Sequence, residues 1–440
     1  MAAAFKPLMP LDEAWSRLHA AVVEHLGPTP RATDVVDSFD ALGRVLAEDL
    51  VSQVDVPPLD NSAMDGYAVR AADLPLAGQA DVEVAVASLP QGQRIAAGQV
   101  GASLQPGTCA RIFTGAPVPE GADAVVMQEH TGVDAATGAV HFKEAIQVGQ
   151  NIRRRGEDIA QGQTVLRAGV RLTPAGLGVA ASVGAASLAV FRRPKVGVLT
   201  TGNELVMPGE PLPPGAIYNS NRHTLRGLVQ ATGAQACDLG VVPDDLAATR
   251  AALRAAAEQH DLIITSGGVS VGEEDHLRNA VLAEGGLDFW ALAIKPGKPF
   301  VFGTLRRRDG GQALYMGLPG NPSASFVTFL LLVRPVIGHL AGLGWQVPEP
   351  LMLKAAFTWP TPDKRREFLR ARLGPQGAVE IYPHQGSGVL TSAAWADGLV
   401  DVPSGTTIQP GDEVRYLPLS WLLQPPGTCR QAASMPQELT

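Results

Sequence analysis

Apolar and polar positions alternate along this chain in several distinct rhythms. Leu11, Trp15, Leu18 and Val22 recur at helical spacing, which predicts an amphipathic helix capped near Asp12. A second helix is expected over Asp37–Glu48, before Pro57 and Pro58 turn the chain into extended structure. From about 73 to 150 the rhythm shortens. Alternating segments such as Val82–Val86 and Val140–Phe142, with a strand expected within Gly107–Pro119 that ends in a Thr114-Gly115 turn and another at Ala124–Glu129, are cut by Gly and Pro turns, as in a small β-domain. Thr173 and Pro174 read as the N-cap and first position of a helix.

Beyond Arg193 the pattern changes again. Apolar runs of strand length, Val196–Leu199, Leu239–Val242 and Leu262–Ile264, alternate with helical stretches near 222–230 and 246–259. Further strands are expected at Phe289–Ile294, Phe300–Phe302 and Leu314–Gly317, and a last helix starts at Asn321. Strands alternating with helices predict a doubly wound parallel sheet. After Pro348 short strands return at Phe368–Leu373, Ala378–Ile381 and Glu413–Tyr416. The fold class is therefore multidomain α/β. The expected parts are an N-terminal helical segment (8–50 with 151–192), an inserted β-domain (51–150), a central α/β domain (193–345), a C-terminal β-barrel-like domain (346–424) and a disordered tail (425–440).

A length of 440 residues is too great for one ordinary core, and 45% hydrophobic with 18% charged residues describes a globular chain. A net charge of −8 argues against a general nucleic-acid binder. Cys109, Cys237 and Cys429 are scattered and form no CxxC pair, which fits a reducing cytoplasm without disulfides or a zinc knuckle. The N-terminus lacks the pattern of a signal peptide. The most apolar stretch, Phe326–Leu340, is interrupted by Arg334 and Pro335 and is short for a membrane span. A soluble, cytoplasmic protein is expected.

The candidate chemistry gathers at strand ends, where open α/β sheets bind ligands. The run Thr265-Ser-Gly-Gly-Val-Ser-Val-Gly272 follows an apolar strand and precedes a helix. Such a turn either simply reverses the chain or offers backbone N–H groups to an anion. Glu204, Asp244 and Asp275 each follow a strand, and three carboxylates in register suggest a divalent-cation site. Ile294-Lys-Pro-Gly-Lys-Pro299 and Gly317-Leu-Pro-Gly-Asn-Pro322 add two stiff loops, with Lys295 and Lys298 as an oxyanion pocket or as two exposed tails. Asn151-Ile-Arg-Arg-Arg-Gly-Glu-Asp158 is either a salt-bridged loop or an Arg-rich anion site. In Asp60-Asn-Ser-Ala-Met-Asp-Gly-Tyr67, Asp65 is either a turn former or a carboxylate presented to a cleft. There is no P-loop and no GxGxxG after a strand.

These motifs, together with Arg111-Ile-Phe-Thr-Gly-Ala-Pro-Val-Pro119, occur in the order found in the MoeA-type molybdopterin molybdenumtransferases, the family of the gephyrin E domain, and the chain resembles that family from about residue 8 to 420. The resemblance implies a MogA-like α/β domain and insertion of molybdate into adenylylated molybdopterin. It further implies hydrolysis of the pyrophosphate link with Mg²⁺, release of AMP, and an elongated homodimer with a cleft shared between subunits. The implied catalytic residues are Asp65, Asp158, Glu204, Asp244 and Asp275, the last three also holding the metal. The implied substrate contacts are Thr114, Arg153, Ser266, Gly267, Gly268, Ser270, Lys295, Lys298, Pro319 and Pro322. Lys295, Lys298, Arg365, Arg370 and Ser387 are the implied molybdate contacts. Expected partners are a molybdopterin adenylyltransferase and molybdoenzyme maturation factors, with no nucleic acid and no membrane. Two positions depart from the family pattern: Asn203 where an Asp is frequent, and Ala291 where many members carry Lys. A non-catalytic molybdopterin scaffold and the upstream adenylylation step are the competing readings.

Overall fold

The computed structural model describes residues 8–28, 30–74, 87–267 and 276–423. The expected strand Val82–Val86, the tail beyond 424, and Gly268, Ser270 and Asp275 lie outside them. Two compact units are present: Met1–Glu48, Ala168–Thr173 and Leu188–Thr440 form one, Asp49–Arg167 and Pro174–Ser187 the other.

The smaller unit is built on a six-stranded sheet. Gly66–Val69 lies between Ala124–Met127 and Cys109–Ile112, and the sheet continues through Ala87–Ile95 and Ala139–Phe142 to Thr131–Val133. Gly66 faces the Val126 carbonyl with no room for a Cβ, so Gly is required where the Asp65 turn enters the sheet. A short ladder pairs Asn61–Ser62 with Ile152–Arg153 and ties the Asp60 loop to the arginine loop.

The larger unit opens with α1 (Leu11–Leu26), which buries Leu11, Ala14, Leu18 and Val22. Trp15 is only partly buried and donates its indole N–H to the Leu331 carbonyl at 2.7 Å. Helix α1 begins after Pro10 without a side-chain cap, and Asp12 falls in its first turn.

The helix expected over Asp37–Glu48 does not form. Thr33–Asp37 is a strand, Ser38–Asp40 a 3₁₀ turn, and Gly43 has φ +72°. The backbone of Val45 and Leu46 instead bridges Arg171 and Val190. Long-range pairing overrides local helical periodicity here.

The central sheet contains β1 (Lys195–Thr201), β2 (Gln235–Val242), β3 (Leu262–Ser266), β4 (Gly285–Ala291), β5 (Pro299–Arg306) and β6 (Gln312–Leu318), in the order β2-β1-β3-β6-β5-β4. Strands β2, β1, β3 and β6 are parallel, whereas β5 runs antiparallel between β6 and β4. The purely parallel expectation is corrected at that edge. The links between these last three strands are too short for the crossover that parallel neighbours need.

Helices α2 (Ser220–Ala231), α3 (Leu246–Ala257) and α4 (His276–Glu284) cover the sheet. Side-chain alternation along each strand sorts the two faces. Val196, Val198, Leu262, Ile264, Leu314 and Met316 pack with α2 on one side. Leu199, Ile263, Ala313 and Tyr315 pack with α3 and α4 on the other.

The apolar stretch after Asn321 is one helical run: α5 (Pro322–Thr328), a π-turn at Phe329–Val333, and α6 (Arg334–Leu340). Arg334 and Pro335 therefore do not interrupt it. Among the described residues it is the one helix long and apolar enough to cross a membrane, yet it is 83% buried inside the protein.

The C-terminal sheet runs from Ile294–Lys295 through Arg366–Leu373, Gly398–Val402 and Glu413–Pro418 to Leu351–Lys354. The loop after β4 thus contributes an edge strand to it, with Lys295 opposite Glu367.

Candidate active site at the strand ends

Strands β2, β1 and β3 end side by side, with Thr201 beside Val242 and Thr200 beside Ser266. A cleft of about 140 Å³ opens above them, lined among others by Thr201, Glu204, Asn221, Ser266, Gly267 and Pro322. This is where a parallel α/β sheet leaves room for a ligand.

The turn after β1 folds Glu204 back over Gly202. Gly202 has φ +144°, a backbone conformation that L side chains rarely adopt, so Gly is favoured in that return. Asp244 follows β2, and its backbone N–H donates to Asn203 Oδ1 at 3.3 Å. Asn203 therefore links the ends of β1 and β2, a task that needs only a side-chain oxygen. Glu204 and Asp244 are both exposed, and neither enters an ion pair among the described residues.

Ser266 is buried, and its hydroxyl is already committed. It donates to the Pro319 carbonyl at 3.2 Å and accepts from Asn221 Nδ2 at 2.7 Å. Asn221 Nδ2 also donates to the Gly320 carbonyl at 2.7 Å, while its buried Oδ1 has no partner among the described residues. Gly267 has φ +89° and donates its N–H to the Leu318 carbonyl at 3.2 Å. The Ser266–Gly267 turn is thus locked to the Pro319–Gly320 loop. Pro319 is buried there and acts through its carbonyl, while Pro322 opens α5 on the cleft wall.

Asn219 and Asn221 carry much of this wall and were missed from sequence. Asn219 caps α2 through Arg222 N–H and donates to Thr200 Oγ1 at 2.8 Å. The Asn-Ser-Asn run at the start of that helix, with Asn219 at the N-cap, was the available signal.

In the smaller unit Asp65 and Thr114 meet. Asp65 Oδ1 accepts the Thr114 backbone N–H and hydroxyl, each at 2.8 Å. The backbone N–H, then the hydroxyl, hold the carboxyl below the usual aspartate range. Because the folded value is depressed, these bonds favour the folded state above the unfolded-state pKa and are lost as pH falls through the folded one. Thr114→Val removes one donor, so the Asp65 titration, followed by NMR, is expected to move up towards the ordinary value. An unmoved midpoint would show that the backbone donor alone sets it.

Of the three consecutive arginines, two are engaged. Arg154 pairs with Asp60 at 2.7 Å and Arg155 with Asp55 at 2.5 Å, while Arg155 N–H donates to Asp60. Arg153 and Asp158 are exposed and outside these ion pairs. The loop is therefore a salt-bridged frame that presents Arg153 and Asp158.

The expected oxyanion residues behave differently from one another. Lys295 Nζ lies 2.9 Å from Glu367 and 3.2 Å from Asp363, and the bond to the Glu367 carboxylate raises its pKa. Arg365 donates twice to Asp363, at 3.1 and 3.0 Å, and with Lys295 holds that carboxyl well below the ordinary range. The two cations are thus matched by two carboxylates. Lys298 is exposed and forms no ion pair among the described residues.

Arg370 is fully buried, unlike an open oxyanion contact. It donates to Ser392 Oγ at 2.9 Å, to the Phe368 carbonyl at 3.1 Å and to the Gly386 carbonyl at 3.2 Å. Ser387 acts through its main chain, its carbonyl accepting the Ser323 and Ala324 N–H groups at the start of α5.

The fold is that of a multidomain α/β protein, and residues 197–339, which include the strand-end cleft, match the probable molybdopterin binding domain. Residues 9–184 match the MoeA N-terminal region (domain I and II), and residues 352–419 the MoeA C-terminal region (domain IV). The molybdopterin molybdenumtransferase of Haemophilus influenzae is 41% identical over 377 residues, covering 85% of this chain and 89% of the relative. That of Nostoc sp. is 35% identical over 429 residues, covering 94% and 96%. A crystal structure of the molybdopterin biosynthesis MoeA protein of Pyrococcus horikoshii OT3 matches with a TM-score of 0.78 at 28% identity, covering 94% of this chain and all of that one. The chain belongs to the MoeA family of molybdopterin molybdenumtransferases.

Proposed function

We propose that the protein inserts molybdate into molybdopterin, taking the adenylylated form and releasing AMP as its pyrophosphate link is hydrolysed. The observation that carries this reading is the strand-end cleft, in which Glu204, outside any ion pair among the described residues, stands beside a rigid Ser-Gly turn, while Asp244 follows the adjacent strand. Glu204 and Asp244 suit a hard divalent cation such as Mg²⁺, which takes oxygen ligands. No group of three His, Cys, Asp or Glu converges among the described residues, and Asp275 lies outside them. When bound, the cation supplies charge neutralisation at the phosphoanhydride.

The protein's own groups do the rest. The positive φ of Gly267 lets the backbone approach a phosphate closely, and Asn221 fixes that turn against the Gly320 loop. Asp65, Thr114, Arg153 and Asp158 act from the partner subunit of a homodimer. Lys298 meets the incoming molybdate. A molybdopterin adenylyltransferase supplies the substrate in the cytoplasm, and molybdoenzyme maturation factors take the product.

AMP release from adenylylated molybdopterin, with molybdate and Mg²⁺ each present or omitted, tests this. Release that requires both, with active cofactor formed, is the expected result. Tight pterin binding without AMP release would instead identify a scaffold, and adenylylation of molybdopterin from ATP would identify the upstream activity.

A further inference from the structure

In Arg111-Ile-Phe-Thr114 of the smaller unit, strand alternation sends Ile112 into the core and Arg111 to the opposite face of the sheet, beside Tyr67 of the neighbouring strand. The Arg111 guanidinium lies 5.3 Å from the centroid of the Tyr67 ring and 4.7 Å from that of Phe113. Aromatic faces attract a cation at such distances. From there it crosses the strand Gly66–Val69. Nη1 donates to the Gly66 carbonyl at 3.0 Å, and Nη2 to Gln128 Oε1 at 2.6 Å, just past the strand Ala124–Met127.

These contacts close a ring around Asp65. Gly66 is its chain neighbour, and the Gln128 N–H donates to the Asp65 carbonyl at 3.0 Å. Phe113 is the chain neighbour of Thr114, whose N–H and hydroxyl bind the Asp65 carboxylate. Covering the Tyr67 ring would need only an apolar stem, whereas the two directed bonds go to residues that carry Asp65. A planar fork makes both bonds while it stacks, which a lysine ammonium cannot do. Arg111 enters no ion pair among the described residues, and its charge, after the two Thr114 donors, also holds the Asp65 carboxyl low.

From this geometry we infer that Arg111 is a positioning residue for the transferase reaction: it locks the Asp65–Thr114 pair in one orientation, so that the carboxylate acts without reorganisation. The inference rests on the reading in which Asp65 takes part in that reaction, and Arg111 acts only through the pair.

Arg111→Met removes the fork and the charge and keeps much of the stem. Amide exchange at Thr114 and Gln128, followed by NMR, is expected to speed up by about 10-fold, with the strand Ala139–Phe142 unchanged. The kcat for AMP release is expected to fall by about 10-fold, with the KM for adenylylated molybdopterin within about 2-fold of wild type. Added to Asp65→Asn, the same substitution is expected to cost less than about 2-fold, because the group it positions is already gone. Unchanged exchange at Thr114 and Gln128, or losses that multiply in the double variant, overturns the proposal. Undiminished AMP release in Asp65→Asn would remove the catalytic reading of Asp65 and this role with it, whereas failure of the Arg111 arm alone leaves that reading standing. Arg111→Lys, which keeps the charge but cannot bond Gly66 and Gln128 together, gives the same exchange readout where the methionine variant does not fold.

Discussion

Asp244→Asn is expected to lower cation-dependent AMP release by about 100-fold or more while leaving molybdopterin affinity within a few-fold of wild type. Loss of outer-shell metal partners already costs roughly 10- to 100-fold, and a direct carboxylate ligand contributes at least as much. The substitution is nearly isosteric and removes a charge. The Asp244 N–H bond to Asn203 is made by the main chain, so the ends of β1 and β2 should stay linked. The α3 N-cap is the neighbouring Asp245, whose carboxylate accepts from Ala248 N–H at 2.7 Å, so the helix start is preserved too. The measurements are AMP release against Mg²⁺ concentration and pterin binding by calorimetry. Partial recovery at high Mg²⁺ is expected if Asp244 acts on the metal. Equal loss of turnover and pterin affinity would sink the metal role and place Asp244 in substrate binding.

The contrast between Asp244 and Lys295 shows where sequence reasoning reached and where it stopped. The alternation of apolar runs and helical stretches after Arg193 was sufficient to put Glu204, Asp244 and Ser266 at strand ends, because parallel βα units carry their loops to one edge. It could not show that Lys295 is neutralised, since Asp363 and Glu367 lie some seventy residues on and reach Lys295 only through the pairing of Ile294–Lys295 with Arg366–Glu367. The helix expected over Asp37–Glu48 failed for the same reason. Val45 and Leu46 find their partners at Arg171 and Val190, beyond the range of any local pattern. Asn221 was invisible differently: nothing in its immediate neighbours states that its amide will span Ser266 and Gly320. Local chemistry was legible, but charge compensation across distant segments was not. Ala291 bears this out at a family departure. It closes β4 opposite Pro299, where its carbonyl accepts the Met9 N–H at 2.7 Å, a main-chain task that leaves the side chain free to vary.

Arg370→Met is expected to separate a structural arginine from a molybdate contact, and to have the largest effect on stability of the substitutions considered. The wild-type guanidinium is fully buried, and its pKa is pushed down to about 10 by desolvation. It remains charged at neutral pH because its donors reach Ser392 Oγ and the carbonyls of Phe368 and Gly386. Methionine fills much of the same space but offers no donor, so those acceptors lose their partners inside the protein. Unsatisfied buried groups cost about 1–3 kcal/mol each, although Ser392 keeps its own bond to the Val389 carbonyl, so a net loss of about 3 kcal/mol is expected. Gln385 also bonds to the Arg370 main chain, accepting its N–H and donating to its carbonyl, each at 2.9 Å. Those bonds survive the substitution and limit the disturbance to the 386–392 turn. Chemical denaturation and the KM for molybdate, measured on the same preparation, distinguish the roles. A structural arginine gives a large drop in the unfolding midpoint and a molybdate KM close to wild type in the remaining folded enzyme. An unchanged midpoint with a raised KM would return Arg370 to the oxyanion site, and would require the 386–392 turn to open when molybdate binds.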